Sequence, residues 1–437
     1  MRTLFLTIVF FFVCKSNAQN VTADQVDALT YDAYLKSDFN TIKEIGTKAL
    51  HDNIDFYLLR YRLGIAYYNS HNYEMAATHF EKAYATDATD MALAEYLYYA
   101  YLFSNQKASA LVLAQKLPQE LQDKMGYKTS IFESISLEAG MLNTNNYNAF
   151  KYKNISAPYT NSQGTFYNDV QFANLTFISQ LNPKLRWTNY VSFATNSYHE
   201  LIQTTLPNNS KLDISDSSSY YQWNSVLQYT YNKWNIAIGT GGYYSSYITY
   251  TIAPPFPIPN TIITQKTTNS NYSGSIAIGR HFHYIEPTIA FSYSNLSETK
   301  NYISEAGLTY FPLGNLAFYG NTKIALVSNE FENNTIYSQL IGVKLSEKIW
   351  LEGYGATGNH QNYLAEGGIL SFNTPNKINW YAGSNLNFYF KKVDFSLGYI
   401  LQQREGTYSN TLNPTTVQSN QFTYTYNLIK TKITWKF

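Results

Sequence analysis

The sequence predicts a mainly β protein, in which a small all-α domain precedes an antiparallel transmembrane β-barrel of about 14–16 strands. Three observations predict this fold. The composition is poor in charged residues and rich in tyrosine. From residue 130 onward, apolar and polar side chains alternate, which places them on opposite faces of β-strands. The last residues also alternate and finish on an aromatic ring: Ile433, Trp435 and Phe437.

The composition separates this chain from soluble enzymes and from helical membrane proteins. Charged residues make up only 14% and aromatic residues 17%, with 42 tyrosines in 437 residues, whereas soluble domains are about 25% charged. A closed barrel needs an apolar outside, a polar inside and aromatic girdles at both water interfaces. The net charge is +1 and no basic stripe is present, so nucleic acid is not an expected partner.

The first 18 residues predict a secretory signal peptide. Arg2 precedes the apolar run Leu4–Val13, and small residues follow up to a cleavage site after Ala18. This run is too short to cross about 30 Å of hydrocarbon as a helix. The single cysteine, Cys14, lies within this segment, so no disulfide is expected in the mature chain.

Residues 24–125 predict a helical domain with tetratricopeptide-like repeats, each a helix–turn–helix unit of about 34 residues. The residues at the core positions of the repeat are Leu63, Gly64, Tyr67, Ala76, Phe80 and Ala83. Gly64 and Ala76 are small where the two helices would cross closely. Weaker copies lie 34 residues upstream and downstream. Such repeats bind proteins or peptides, although a helical plug or spacer is the alternative. Pro118 is expected to end the last helix.

Residues 130–437 predict the barrel. Candidate strands of about 10–14 residues are longer than most strands of soluble sheets. Tight turns alternate with polar stretches that predict long loops at 143–165, 199–218, 249–270 and 404–420. About fifteen strands can be counted, whereas bacterial barrels have even numbers. Either a segment within 347–375 is not a barrel strand or a strand is hidden within 404–420.

Isolated charges on otherwise uncharged strands should face the lumen, because a charge facing lipid is costly. The predicted lumen-facing polar residues are Lys323, Glu352, Glu366, Asp394, Asn385 and Tyr381. The charged members either line a polar pathway or pair across the lumen as structural struts. Asparagine and tyrosine side chains can also hydrogen-bond and stack with sugars.

His281 and His283 are the candidates for catalysis. They are predicted on one strand face, with Glu286 nearby, and a histidine–carboxylate pair can act as a general base. The alternative is two histidines near a turn at the periplasmic rim. No motif marks a nucleophile, a metal site or a cofactor site, so none of these is predicted.

The order of the parts resembles the YaiO family of outer-membrane β-barrels that carry N-terminal tetratricopeptide repeats. The resemblance rests on the repeat core, the aromatic C-terminus and glycine- and tyrosine-rich hairpins such as residues 239–244. It implies an outer-membrane barrel with its N-terminal domain in the periplasm, and no catalytic residues.

The expected function is transport or assembly of a surface polysaccharide or other polar ligand, with outer-membrane lipid around the barrel and a periplasmic protein or peptide docked on the repeats. The alternatives are a structural or adhesive barrel that binds partners through its long loops, and an enzyme acting on lipid or glycan.

Overall fold

A computed structural model of the protein describes residues 22–127, 130–144, 147–148, 159–204, 210–252, 262–413 and 416–437. The predicted signal peptide, residues 1–18, and the side chain of Glu366 lie outside the described residues. The chain divides between Leu97 and Tyr98 into two compact units. Each unit is described by itself.

The described residues contain seven α-helices, and none of them is both long and apolar enough to cross a membrane. The helices are Ala23–Leu35 (α1), Phe39–His51 (α2), Tyr57–Asn69 (α3), Tyr73–Thr86 (α4), Met91–Phe103 (α5), Lys107–Ala114 (α6) and Gln119–Met125 (α7). Helices α1, α3 and α5 begin 34 residues apart, as do α2, α4 and α6. This spacing equals the length of a tetratricopeptide repeat.

The C-terminal end of this helical region differs from the prediction. Helix α6 already ends at Ala114, and Pro118 caps the start of α7 instead of ending the last helix. Proline is tolerated at this N-cap position because the N–H groups at the start of a helix have no intrahelical partner.

The first unit is held together by close helix crossings. Gly64 on α3 faces Phe80 on α4, and a Cβ atom on Gly64 would lie 2.3 Å from the Phe80 ring. Gly46 on α2 approaches Leu63 in the same way, at 2.7 Å. Arg62 is buried and its Nη1 lies 2.7 Å from Asp27 Oδ1, which ties α3 to α1. Glycine is therefore required where these helices touch.

Sixteen β-strands lie in the described part of the chain, and fourteen of them form one closed antiparallel barrel. They are Phe132–Asn143 (β1), Asn161–Asn182 (β2), Leu185–Thr204 (β3), Ser210–Tyr231 (β4), Trp234–Ile252 (β5), Ile262–Arg280 (β6), Ile285–Ser294 (β7), Asn301–Tyr310 (β8), Phe318–Ser328 (β9), Asn333–Ser346 (β10), Ile349–Thr357 (β11), Tyr363–Ala365 (β12), Leu370–Phe372 (β13), Lys377–Tyr389 (β14), Val393–Asn413 (β15) and Thr416–Lys436 (β16).

Each barrel strand pairs with the next one along the chain, β11 pairs with β14, and β1 pairs with β16 to close the ring. Strands β12 and β13 pair only with each other. The predicted fold class is confirmed. Of the two explanations for the odd count of about fifteen strands, the first holds: the range 347–375 contains the small hairpin of β12 and β13, which is not part of the barrel wall.

An apolar band on the outside of the barrel is bounded by aromatic rings. On β4, the exposed Tyr221 and Tyr231 are ten residues apart, and Trp234 and Tyr244 have the same spacing on β5. Aliphatic side chains such as Ile238, which is 60% exposed, lie between them. A transmembrane strand needs about 9–11 residues, so the two rows of rings mark the edges of the membrane-spanning band.

Several strands continue well beyond this band, which corrects the loop prediction. The stretches predicted as loops at 199–218, 249–270 and 404–420 are largely paired strand; β15 and β16, for example, stay paired as far as Asn413 and Thr416. These stretches are rich in threonine and also contain isoleucine, and both residues favour strands. At the end of β3, the consecutive residues Glu200, Leu201, Ile202 and Gln203 are all buried, so polar and apolar side chains no longer alternate between two faces there.

We expect the stability of the helical unit to depend on pH through His79. The His79 side chain is 4% exposed, stacks on Tyr67 at 5.4 Å between ring centres, and lies 3.1 Å from Arg60 Nη1. Burial and the Arg60 charge lower the pKa of His79 from 6.5 to about 4. Below pH 6.5 the unfolded chain therefore binds a proton that the folded chain does not. Stability should fall between pH 6.5 and pH 4, by roughly 2–3 kcal/mol.

The measurement is thermal unfolding of the helices by circular dichroism at 222 nm between pH 7.5 and pH 4. The variant His79→Phe keeps a stacked ring without the titration and should flatten the pH dependence. His51→Gln is the control, because the His51 side chain is 90% exposed. An equal pH dependence in the wild type and His79→Phe would contradict the prediction.

Candidate functional site: a hairpin inserted into the barrel lumen

The connection between β11 and β14 turns into the barrel instead of away from it. We call residues 358–376, which include β12 and β13, the plug. Gly358 begins the inward turn with φ +122°, and a Cβ atom there would lie 2.4 Å from the Thr335 carbonyl oxygen. Gly367 and Gly368 also have positive φ and turn the tip of the hairpin. At Gly358, only glycine adopts this φ without strain.

The plug crosses the whole lumen. At its tip, the Ile369 carbonyl accepts a hydrogen bond from Asn224 Nδ2 on β4 at 2.7 Å. The Gly367 carbonyl accepts one from Ser275 Oγ on β6 at 2.5 Å. Strand β4 is seven steps from β11 in either direction around the fourteen-strand ring. The plug therefore reaches from one wall to the opposite wall.

The other end of the plug is anchored by apolar packing. Leu364 is 2% exposed and lies in a buried cluster with inward-facing side chains. The cluster consists of Tyr243, Leu296, Ile303, Ala325, Val327, Ile336, Ala356, Tyr363, Leu364 and Ala365. Apart from Tyr243 on β5, its members on barrel strands come from β8 to β11. Most of the apolar packing of the plug thus lies on the wall of β8 to β11, with Tyr243 of β5 in the same cluster, and its tip is hydrogen-bonded to β4 and β6.

Predicted lumen residue Lys323 lies beside the plug. Its Nζ is 3.8 Å from Glu305 Oε1, and the Tyr363 hydroxyl of the plug donates to Glu305 Oε2 at 2.5 Å. Lys323 and Glu305 are both largely buried, where a charge pair interacts more strongly than at a water-exposed surface. Lys323 therefore helps to fix the Glu305 carboxylate, which accepts the hydrogen bond from the plug.

Two further predicted residues, Glu352 and Asn385, come together in one polar network. Glu352 Oε1 accepts from the Tyr319 hydroxyl at 2.6 Å, and Glu352 Oε2 accepts from Asn387 Nδ2 at 3.1 Å and Asn385 Nδ2 at 3.4 Å. These donors are all neutral. The predicted Tyr381 instead stacks on Phe372 of the plug, with 5.8 Å between ring centres.

Asp394 belongs neither to the Lys323–Glu305 pair nor to the Glu352 network. It lies at the tight-turn end of the barrel, where Lys436 Nζ is 2.7 Å from Asp394 Oδ1. The same oxygen accepts a hydrogen bond from the Phe390 backbone N–H at 3.2 Å. Asp394 therefore ties the turn between β14 and β15 to the last strand. The fourth predicted charge, Glu366, has its side chain outside the described residues.

The two histidines proposed as a pair do not share a strand face. His281 is buried, with Nδ1 3.9 Å from Glu286 Oε2, and Asn235 Nδ2 donates to the same carboxylate at 2.7 Å. His283 is exposed in the turn with φ +46°. The turn, which occupies the residues between β6 and β7, breaks the expected alternation. Within the described residues, no group of three or more His, Cys, Asp and Glu side chains is placed to hold a metal ion.

Sequence reasoning missed the buried Arg404, because residues 404–420 were expected to form a loop. Its guanidinium lies 4.5 Å from the centre of the Tyr426 ring, and its Nη2 donates to Gln402 Oε1 at 3.0 Å. Tyr424 and Tyr426 are buried with Ile400 in a cluster on this wall. The signal was present in the sequence, because Gln402 and Arg404 continue the inward-facing positions of β15.

The closed ring, the lipid-facing band and the filled lumen define a transmembrane β-barrel of the outer-membrane type with an internal plug. No protein-family model matches the sequence, and comparison with curated proteins gives no match. The resemblance to the YaiO family stays a prediction.

Similar folds occur among solved structures. The toluene transporter TodX of P. putida is 9% identical with a TM-score of 0.46, covering 77% of this chain and 94% of TodX. A FadL homologue of Pseudomonas aeruginosa is 7% identical with a TM-score of 0.46, covering 70% and 90%. The outer membrane protein Omp33 of Acinetobacter baumannii is 9% identical with a TM-score of 0.33, covering 71% and 100%.

Removing the Tyr363 hydroxyl should loosen the plug without changing the barrel. In Tyr363→Phe, the Glu305 carboxylate loses a hydrogen bond worth roughly 1–3 kcal/mol. Amide hydrogen exchange across residues 360–372 should become about 5- to 100-fold faster, and exchange in β4 and β6 should not change. Tyr337→Phe is the control, because Tyr337 is 54% exposed on the outer face. Unchanged exchange in the plug of Tyr363→Phe would refute the anchoring role of this bond.

Proposed function

We propose that this protein is an outer-membrane transport barrel for a polar ligand such as a polysaccharide, and that the plug is its gate. One observation carries the proposal: the plug crosses the full width of the lumen, with most of its apolar packing on the wall of β8 to β11 and hydrogen bonds at its tip to β4 and β6. Because every wall strand is paired on both edges, the ring itself does not open. A ligand that passes through the lumen must therefore displace the plug.

The contacts at the plug tip favour displacement toward one side. On the β4 and β6 wall, the tip is held by hydrogen bonds from neutral side chains to two backbone carbonyls. Water can replace such bonds, so each contributes only about 0.5–1.5 kcal/mol. The apolar cluster on the other wall is costlier to expose. We therefore propose that the ligand passes between the plug tip and the wall formed by β4 to β6.

The side chains on that wall support a polar, uncharged ligand. The inward-facing groups near the tip are mostly amides and hydroxyls: Gln222, Asn224, Tyr243, Asn271, Ser273 and Ser275. A sugar offers hydroxyl groups that pair with such side chains, and a tyrosine ring offers a face on which it can stack. For this reason we propose a glycan rather than an ion as the transported ligand.

The helices are proposed to be tetratricopeptide-type repeats that dock a periplasmic protein or peptide. The 34-residue spacing of six helix starts supports the repeat type. Apolar side chains that are 44–65% exposed, namely Leu29, Tyr31, Leu35 and Leu58, support a docking role. The function proposed for the protein is not enzymatic.

The long strands favour a second candidate function, binding of an external partner. Strands β4 and β5 extend by about eight residues or more beyond their outer aromatic rings, which adds a paired surface outside the membrane. Shortening the β3–β4 hairpin by removing residues 200–214 tests this candidate. Loss of surface binding with unchanged conductance would support it over transport.

Deletion of the plug should open the barrel. Replacing residues 360–374 by a short glycine–serine linker should convert a closed protein into a steady ion-conducting channel in planar bilayers. Shortening the loop at residues 329–332, between β9 and β10, is the control and should leave the protein closed. In vesicles, the plug deletion should also admit oligosaccharides. A wild type that conducts as well as the deletion, or a deletion that stays closed, would overturn the proposal.

A further inference from the structure

A cleft opens at the tight-turn end of the barrel, within the unit Tyr98–Phe437. It has a volume of about 870 Å³ and is lined by residues of the helical segment and by the ends of β1, β15 and β16. Part of its lining is apolar, with Leu111, Phe132, Val393 and Trp435 among the residues. The volume and the partly apolar lining of the cleft thus suit part of an amphipathic molecule.

The mouth of this cleft lies at the edge of the membrane-spanning band. Phe132 and Trp435 are 58% and 41% exposed. Elsewhere on the same rim, cations lie over aromatic rings: Lys184 over Tyr231 at 4.9 Å, Arg280 over Trp234 at 4.9 Å and Lys348 over Phe390 at 6.0 Å. Such pairs of cations and rings are typical of the level of the lipid headgroups.

The cleft carries an excess of positive charge. Its lining includes four lysines and one acidic side chain, that of Glu133. Lys107 Nζ is 2.9 Å from Glu133 Oε1, and Lys436 is paired with Asp394. Lys391 and Lys392 are exposed, and neither forms an ion pair with a residue that the structure describes. Two cations are therefore available at the mouth of a partly apolar cleft.

We propose that this cleft binds one anionic phospholipid of the surrounding leaflet. The phosphate lies against Lys391 and Lys392, and an acyl chain follows the apolar lining past Val393 and Trp435. A phospholipid combines these two properties and is concentrated at this level of the membrane, whereas a free phosphate would leave the apolar lining without an occupant. The proposal does not depend on the gating function of the plug.

The test is native mass spectrometry of the full chain, released from detergent containing phosphatidylglycerol and phosphatidylcholine. Two lysines near a lipid phosphate predict a roughly 10- to 30-fold preference for phosphatidylglycerol at a single site. In Lys391→Gln/Lys392→Gln the preference should fall below about threefold. The matched control is Lys266→Gln/Lys300→Gln, which removes two exposed lysines from the opposite end of the barrel and should keep the preference.

The outcomes separate the lipid from its alternatives. Glycerophosphate, the headgroup without acyl chains, should not displace the bound lipid at the same concentration. Displacement by glycerophosphate or by inorganic phosphate would replace the lipid site with a simple anion site. Equal loss of preference in both double variants would show an effect of net charge alone, and equal binding of the two lipids by the wild type would overturn the proposal.

Discussion

The backbone of a strand in hydrocarbon has no water to bond with, so every amide must pair with another strand. This constraint closes the ring: β1 pairs with β16 without interruption from Ser134 opposite Lys436 to Asn143 opposite Asn427. A wall paired on all sides does not open sideways at low cost. Any change of state that serves a function is therefore confined to the lumen and to the two rims.

The same constraint explains why the lumen is filled by a separate segment. Outside the hydrocarbon, the connection between two strands has water available and is free to fold elsewhere. The connection from β11 to β14 forms backbone hydrogen bonds within its own hairpin, through the pairs Tyr363–Phe372, Leu364–Ser371 and Ala365–Leu370. At its tip, backbone carbonyls accept further hydrogen bonds from side chains of the inner wall. The plug therefore meets the same requirement for backbone hydrogen bonds as the barrel strands, but with fewer strand pairs.

The sequence predicted the wall and missed the plug for one physical reason. Each barrel strand carries its own signal, because lipid and lumen impose opposite polarity on neighbours such as the exposed Trp223 and the buried Asn224. The strands of the plug have only three residues each, and its key contact joins Ser275 to Gly367, 92 residues away along the chain. Of the predicted lumen residues, Glu352 and Asn385 were brought together, but the partner of Lys323 lies on a neighbouring strand and was not foreseen.

The tethers of the plug restrict how it can move. Both ends join adjacent barrel strands, β11 and β14, and the His360 ring beside the first tether is fully buried, with Nδ1 3.1 Å from the Ile378 carbonyl oxygen. The apolar cluster fixes the next residues, Leu364 and Ala365. Beyond them lies the glycine-rich tip, where the Gly367 and Ile369 carbonyls accept hydrogen bonds from side chains of the wall. Movement is cheapest at that tip, so the lumen is expected to open first along the wall farthest from the tethers.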